Sequence, residues 1–254
     1  MRSLFFSSFA LLIRDYRVRF RRTLLGFFWF FIPLFILVVS AMFLGKDIGL
    51  YSDQNSSSYL VELIAGLIFW QVVSEAWGEP LRLSRRANSI IRAVPFNYIS
   101  LLMAGAFSAF FGLFIKLPVL ITAMWLLGYQ FHIGMLVLPF GFLSLVLLGV
   151  GLSCIFLPFS LGILDVRYAL PLLSVICLIC TPILYSMPSE GAIHWINSVS
   201  PFTYIVPPIR DFALGYDTSI YKLFAIFMAN VIFLSLGLLF FNNKIQLSAA
   251  YVGR

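Results

Sequence analysis

Apolar residues in this chain come in blocks the length of a bilayer crossing, with the charges pushed to the edges of the blocks. Thr23 to Gly45 is 23 residues without a charge, Ala93 to Ile115 another 23, Leu117 to Leu164 48, Tyr168 to Ser189 22 and Leu223 to Asn243 21. A helix crosses the hydrocarbon core in about 20 residues, so the longest window holds two crossings. A further block, Tyr59 to Trp77, has Glu62 near one end and Glu75 near the other. Acids at helix ends reach the headgroup region, so this block also reads as a span. The pattern predicts an all-α integral membrane protein, a single transmembrane domain over 1–254, with six spans at 24–44, 59–77, 99–127, 133–157, 168–187 and 223–241.

The segments between the blocks are uneven in character. In 1–22, Phe5, Phe9, Leu12, Ile13, Tyr16 and Phe20 fall on one helical arc, and Arg14, Arg17 and Arg21 on a neighbouring one. That predicts an amphipathic helix at the membrane interface, its arginines toward anionic headgroups or a cytoplasmic partner; a plain topology anchor is the other reading. No small-residue cleavage site follows, so a signal peptide is not expected. Segment 78–98 is the most polar internal stretch, with Arg82, Arg85 and Arg86 on one helical face, then Asn88 and Arg92. Its length and charge predict a cytoplasmic coupling segment that docks a partner, against the blander reading of a solvated basic loop. Segment 188–221 carries Pro188, Pro201, Pro207 and Pro208 among apolar and aromatic residues. It is too broken to span and too apolar for a free loop, which predicts half-buried or re-entrant helices on the outer side.

Composition and charge sharpen this picture. Hydrophobic residues make up 61% of the chain and charged residues 11%, against about 25% charged in soluble domains. The net charge of +7 is not spread as a nucleic-acid surface. If the spans alternate, 13 of the 17 basic residues fall on one side. The positive-inside rule then places both termini in the cytoplasm.

No catalytic or metal-binding constellation emerges. His132 and His194 lie in separate turns, and no glycine-rich loop precedes a Lys-Ser/Thr pair. No cofactor is therefore expected on this chain, and an energy source would be bound elsewhere. Cys154, Cys177 and Cys180 read as packing residues. Lys116 stands near the middle of the third span, where a lysine costs about 2.5–3.5 kcal/mol to insert; Glu62 and Glu75 are its candidate partners. Polar-tipped aromatics near the predicted interfaces, Trp29, Tyr185, Trp195 and Tyr204 among them, read as anchors or as stacking faces for sugars. Asn197 and Phe202 join them as candidates for a substrate path. Asn55-Ser56-Ser57 is a sequon too short to count against chance.

The order of motifs resembles one family. Arg19-Phe20-Arg21-Arg22-Thr23-Leu24-Leu25-Gly26-Phe27-Phe28-Trp29 is similar to the opening of type-2 ABC transporter permeases that export polysaccharides. Ile91-Arg92-Ala93-Val94-Pro95-Phe96, Asp165-Val166, Thr181-Pro182-Ile183-Leu184-Tyr185 and Ser200-Pro201-Phe202-Thr203 resemble later family segments, in order. Pro33, Asn97, Leu164 and Ser200 depart from the family pattern. The resemblance implies a homodimeric channel driven by two separate nucleotide-binding ATPase subunits, which hold the ATP and magnesium. It implies a lipid-linked polysaccharide as substrate, commonly O-antigen on an undecaprenyl carrier, and a bacterial cytoplasmic (inner) membrane location. Capsule and teichoic-acid exporters are close alternatives. A secondary transporter or a lipid-modifying enzyme remains a second class; internal repeats with several intramembrane acids, or clustered acids and histidines, would mark those.

Overall fold

The computed structural model describes residues 2–21, 28, 31–32, 35–36, 38–39, 56–86, 97–130, 132–185, 187, 190–216 and 218–252. The span expected at 24–44 lies mostly outside them, as do Trp29, Asn88 and Arg92. The described chain is helical, without strands: α1 (Arg2–Arg21), α2 (Ser56–Arg86), α3 (Ile99–Leu126), α4 (Leu138–Gly162), α5 (Leu164–Ile179), α6 (Ala192–Val199), α7 (Val206–Leu214) and α8 (Ile220–Val252). Short 3₁₀ turns, Ile133–Val137 and Pro201–Tyr204, lead into α4 and toward α7. Among the described residues, four stretches are long and apolar enough to cross a membrane: Ser58–Arg86, Ile99–Leu126, Ile133–Gly162 and Ile220–Ile245. The protein is thus an α-helical membrane protein.

α2 is the central element. It packs against α3, α4, α5 and α7, and buries Val61, Leu63, Leu67, Ile68, Phe69, Val72 and Val73 completely. It also runs unbroken past Trp77 to Arg86, so the coupling segment expected from Gly78 begins as a continuation of this helix. Pro80 lies inside it. A proline there frees the carbonyl four residues back and thrusts a ring outward. α3 accommodates the ring with Gly105, where a Cβ would collide with Pro80 and stand 3.3 Å from the Ala76 carbonyl oxygen. Small residues at such crossings let membrane helices approach closely. α8 packs on α4, and the Asn230 amide donates to the Ser144 hydroxyl and carbonyl at 2.9 and 3.2 Å, a polar clamp between two apolar helices.

One element is shorter than the sequence pattern predicts. The fifth span was expected over 168–187, but α5 stops at Ile179. Its last carbonyls are taken by side chains that follow: Thr181 donates to the Cys177 carbonyl at 2.7 Å and Tyr185 reaches the Ile179 carbonyl at 2.8 Å. Pro182, with no N–H to offer, adds no further turn. On α1, Leu12 and Tyr16 of the apolar arc share a buried face with polar residues. Ser8, Leu11, Leu12, Asp15 and Tyr16 are buried, whereas Phe6 and Phe9 are exposed. The buried face packs on α3, with the Tyr16 hydroxyl 3.1 Å from that of Ser108 and its ring 5.0 Å from Phe111.

Candidate functional site

Between Gln71 and Arg85, one stripe of α2 is left open while its other faces are buried. Gln71, Ser74, Glu75, Gly78, Arg82 and Arg85 recur every three or four residues and share a face, each half-buried or exposed. Val72, Val73, Ala76 and Trp77, on the other faces, are buried. The open stripe is therefore also the polar one.

Ion pairs fix this stripe to its neighbours. Lys116 of α3, 1% exposed, donates to the Glu75 carboxylate, which is 20% exposed. Of the two acids considered from the sequence, Glu75 is thus the partner; Glu62 instead accepts from the Tyr216 hydroxyl. Gly112 makes the room, because a Cβ there would collide with Glu75 Oε2. Two buried acceptors on the stripe, Gln71 Oε1 and Glu75 Oε2, have no donor among the described residues. Lower on the helix, Arg82 pairs with the buried Glu79 one turn back. Arg86 Nη1 holds both oxygens of Asp15 on α1, at 2.6 and 2.7 Å.

These pairs divide the basic residues singled out from the sequence. Arg82 and Arg86 are neutralised within the chain. Arg85 is exposed and has no partner among the described residues. Asn88 and Arg92 lie outside the described residues. On α1, Arg14 is half-buried and Arg17 exposed; the Arg21 side chain is outside the described set.

At the other end of α2, a cleft of about 460 Å³ opens between Tyr59, Glu62, Tyr185, Thr203, Arg210 and Lys222. Its walls are already organised. Tyr59 donates to the Leu184 carbonyl at 2.6 Å, and Arg210 holds Asp211 at 2.7 Å. Burial and the hydrogen bond to Glu62 hold the Tyr216 phenol far above its usual range. The Tyr185 hydroxyl is 2.8 Å from Asn197 Oδ1, and Asn197 itself is fully buried. Thr203 also lines the cleft, but its Oγ1, like Asn197 Nδ2, is buried and has no partner among the described residues.

The aromatic candidates separate here. Tyr185 and Tyr204 line the cleft, and the Tyr204 hydroxyl donates to the Ser198 carbonyl at 2.9 Å. Trp195 stands 70% exposed on α6, away from the cleft wall. Phe202, expected as a stacking face along a path, is instead a core residue, its ring edge-on to Trp70 at 5.2 Å. α7 closes the cleft floor. It ends at Gly215 with φ 85°, where any side chain would be strained and a Cβ would stand 2.6 Å from the His132 ring.

Sequence reasoning did not assign roles to Asp15, Gln71, Glu79 or Gly112. Gln71, Ser74 and Gly78 were legible as a polar repeat inside an apolar block; Asp15 and Gly112 matter only through partners distant in sequence. No cluster of three or more His, Cys, Asp and Glu able to hold a metal occurs among the described residues. No protein-family model matches the chain, and no curated protein matches it.

Proposed function

We propose that this chain is the membrane subunit of an ATP-driven exporter of a lipid-linked polysaccharide, O-antigen on an undecaprenyl carrier being the first candidate. The carrying observation is the polar stripe of α2. A helix buried on its other faces has no use for Gln71, Ser74, Glu75 and Gly78 on its open side if that side meets lipid; unmet acceptors in hydrocarbon are costly. A wet path beside α2 supplies what they need. The order of motifs from Arg19 to Thr203 supports the same reading.

In this proposal two copies form the path, and two separate ATPase subunits bind ATP and magnesium. Six spans, including 24–44 and one built on α5, leave both termini in the cytoplasm of a bacterial inner membrane. Arg85, with Asn88 and Arg92, docks the ATPase, and α1 presents Arg14 and Arg17 at the interface. Segment 188–221 acts as the outer gate, with the cleft at Tyr185, Thr203 and Tyr204 offering hydroxyls to passing sugar. Capsule and teichoic-acid polymers fit the same arrangement.

The test is solvent access. With native cysteines removed, Gln71→Cys should react with a membrane-impermeant thiol reagent, and Ile232→Cys, on the exposed apolar side of α8, should not. Labelling at position 71 should stop export. An unreactive Gln71→Cys would remove the path. ATP hydrolysis should appear only with the partner subunit present; hydrolysis by the purified chain alone would overturn the division of labour.

A further inference from the structure

The segment between α5 and α8 has two halves of unlike packing. α7 is wedged in place. Val206, Pro207, Pro208, Ile209, Ala213 and Leu214 are buried, and the helix packs against α2, α4, α8 and both 3₁₀ turns. Its last carbonyl is taken by the turn after α3, where the Tyr129 hydroxyl donates to Leu214 at 3.0 Å. The turn into α4 leaves no slack on the other side, because a Cβ on Gly134 would collide with the Phe212 carbonyl oxygen. A shift of α7 would disturb all of these contacts together.

α6 is the opposite case. Asn197 is the one buried residue of its eight, while Ile193, Trp195, Ile196 and Val199 are exposed. The helix rests on the turn Pro201–Tyr204. Gly191 precedes it with φ 99° and ψ −177°, a backbone conformation open to glycine alone. Ser200 follows it in extended backbone, ahead of Pro201. Between these two ends, side chains of two tyrosines hold the helix. The Tyr185 hydroxyl meets Asn197 Oδ1 at 2.8 Å, and the Tyr204 hydroxyl donates to the Ser198 carbonyl at 2.9 Å.

The Tyr185 contact can open at little cost. A tyrosine hydroxyl has a single proton, and two acceptors stand 2.8 Å from it, Asn197 Oδ1 and the Ile179 carbonyl. When α6 leaves, the proton stays with Ile179 and the tyrosine is not orphaned. Asn197 is better served outside. Its Nδ2 is buried with no partner among the described residues, and a buried donor without an acceptor is costly. Undocking gives that amide to water. Both tyrosines also line the 460 Å³ cleft, so material in the cleft touches the side chains that hold α6.

We infer that α6 is the moving leaf of the outer segment, hinged at Gly191 and at Ser200–Pro201 and latched by Tyr185 to Asn197, and that α7 is the fixed frame it closes against. The use of this leaf as a gate rests on the exporter reading; its motion does not.

The experiment is amide hydrogen exchange on the purified full-length chain in phosphatidylglycerol nanodiscs, resolved by mass spectrometry. Amides of residues 195–200 should exchange at least about tenfold faster than those of residues 210–214, which are also helical but buried. Tyr185→Phe leaves Asn197 Oδ1 without its donor. It should speed exchange at 195–200 a further threefold to tenfold, about the effect of one hydrogen bond, with 210–214 unchanged. Asn197→Leu added to Tyr185→Phe leaves nothing unpaired at the latch and should return 195–200 to the wild-type rate or below it. That rescue separates the latch from a general loosening at the end of α5, which a leucine on α6 would not repair. Equal exchange in the two segments of the wild type would overturn the inference. So would Tyr185→Phe speeding both segments alike, or an absence of rescue. Export, read as surface polysaccharide in the producing cells, is scored separately. The expected exchange pattern with export unchanged in both variants would leave the moving leaf standing and remove its role as a gate.

Discussion

The buried pair between Lys116 and Glu75 can be taken apart from either side, and the two sides should not be equivalent. Glu75→Leu leaves an ammonium whose side chain is 1% exposed without its counter-charge. Breaking a buried pair this way costs about 3–5 kcal/mol. Lys116→Met leaves the carboxylate instead, but Glu75 is 20% exposed and sits on the open stripe of α2. It can turn toward polar surroundings or take up a proton, so the cost should be smaller, about 1–3 kcal/mol. The double variant removes both charges and should return to within about 1 kcal/mol of wild type or exceed it. Purified protein in detergent, unfolded thermally and followed by tryptophan fluorescence, gives the order of stability. The expected order is Glu75→Leu below Lys116→Met below the double variant. If Lys116→Met were the more damaging single change, the carboxylate would not be the better-solvated partner. If the single losses simply added, the two groups would not be coupled.

Two further predictions concern neighbours of the same network. Gly112→Ala should destabilise the wild type by about 1–3 kcal/mol, the usual penalty of overpacking, and should be tolerated once Glu75→Ala empties the space its Cβ would enter; a loss undiminished in the Glu75→Ala background would place the cause elsewhere. At the foot of α2, Arg86→Gln, which removes the Nη1 grip on both Asp15 oxygens, should loosen α1. Amide hydrogen exchange along α1 measures this, and protection equal to wild type would argue against Asp15–Arg86 as a tie.

What could be read from the sequence follows from how membrane helices are selected. The bounds of α3 nearly match the expected 99–127, because the chain turns directly after it at Gly128, whose φ is 68°. Lys116 was legible as a charge needing a partner. The choice of Glu75 over Glu62 was not, because both acids sit on one helix and only the crossing with α3 decides which meets the lysine. α5 fell short of its apolar window because hydrophobicity measures tolerance of lipid, not helical continuity. Thr181 and Tyr185 caught its last carbonyls with side-chain hydroxyls, a bond that no hydropathy window weighs.

α1 carries the sharper lesson. In water, the apolar arc of a helix is the arc it buries. At a membrane a helix has two apolar environments, lipid and protein, and burial can follow the polar residues instead. An acid on the protein side is acceptable when a base waits there, and Arg86 waits for Asp15. Ser8, Leu11, Leu12, Asp15 and Tyr16 make a coherent face at helical spacing once that acid is allowed inside. Phe6 and Phe9 are then free to face outward. The Asp15–Arg86 pair, its members seventy-one positions apart, joins α1 to the same end of α2 that carries Arg85. A displacement of that end would therefore reach α1 through the ion pair and through α3, on which α1 packs.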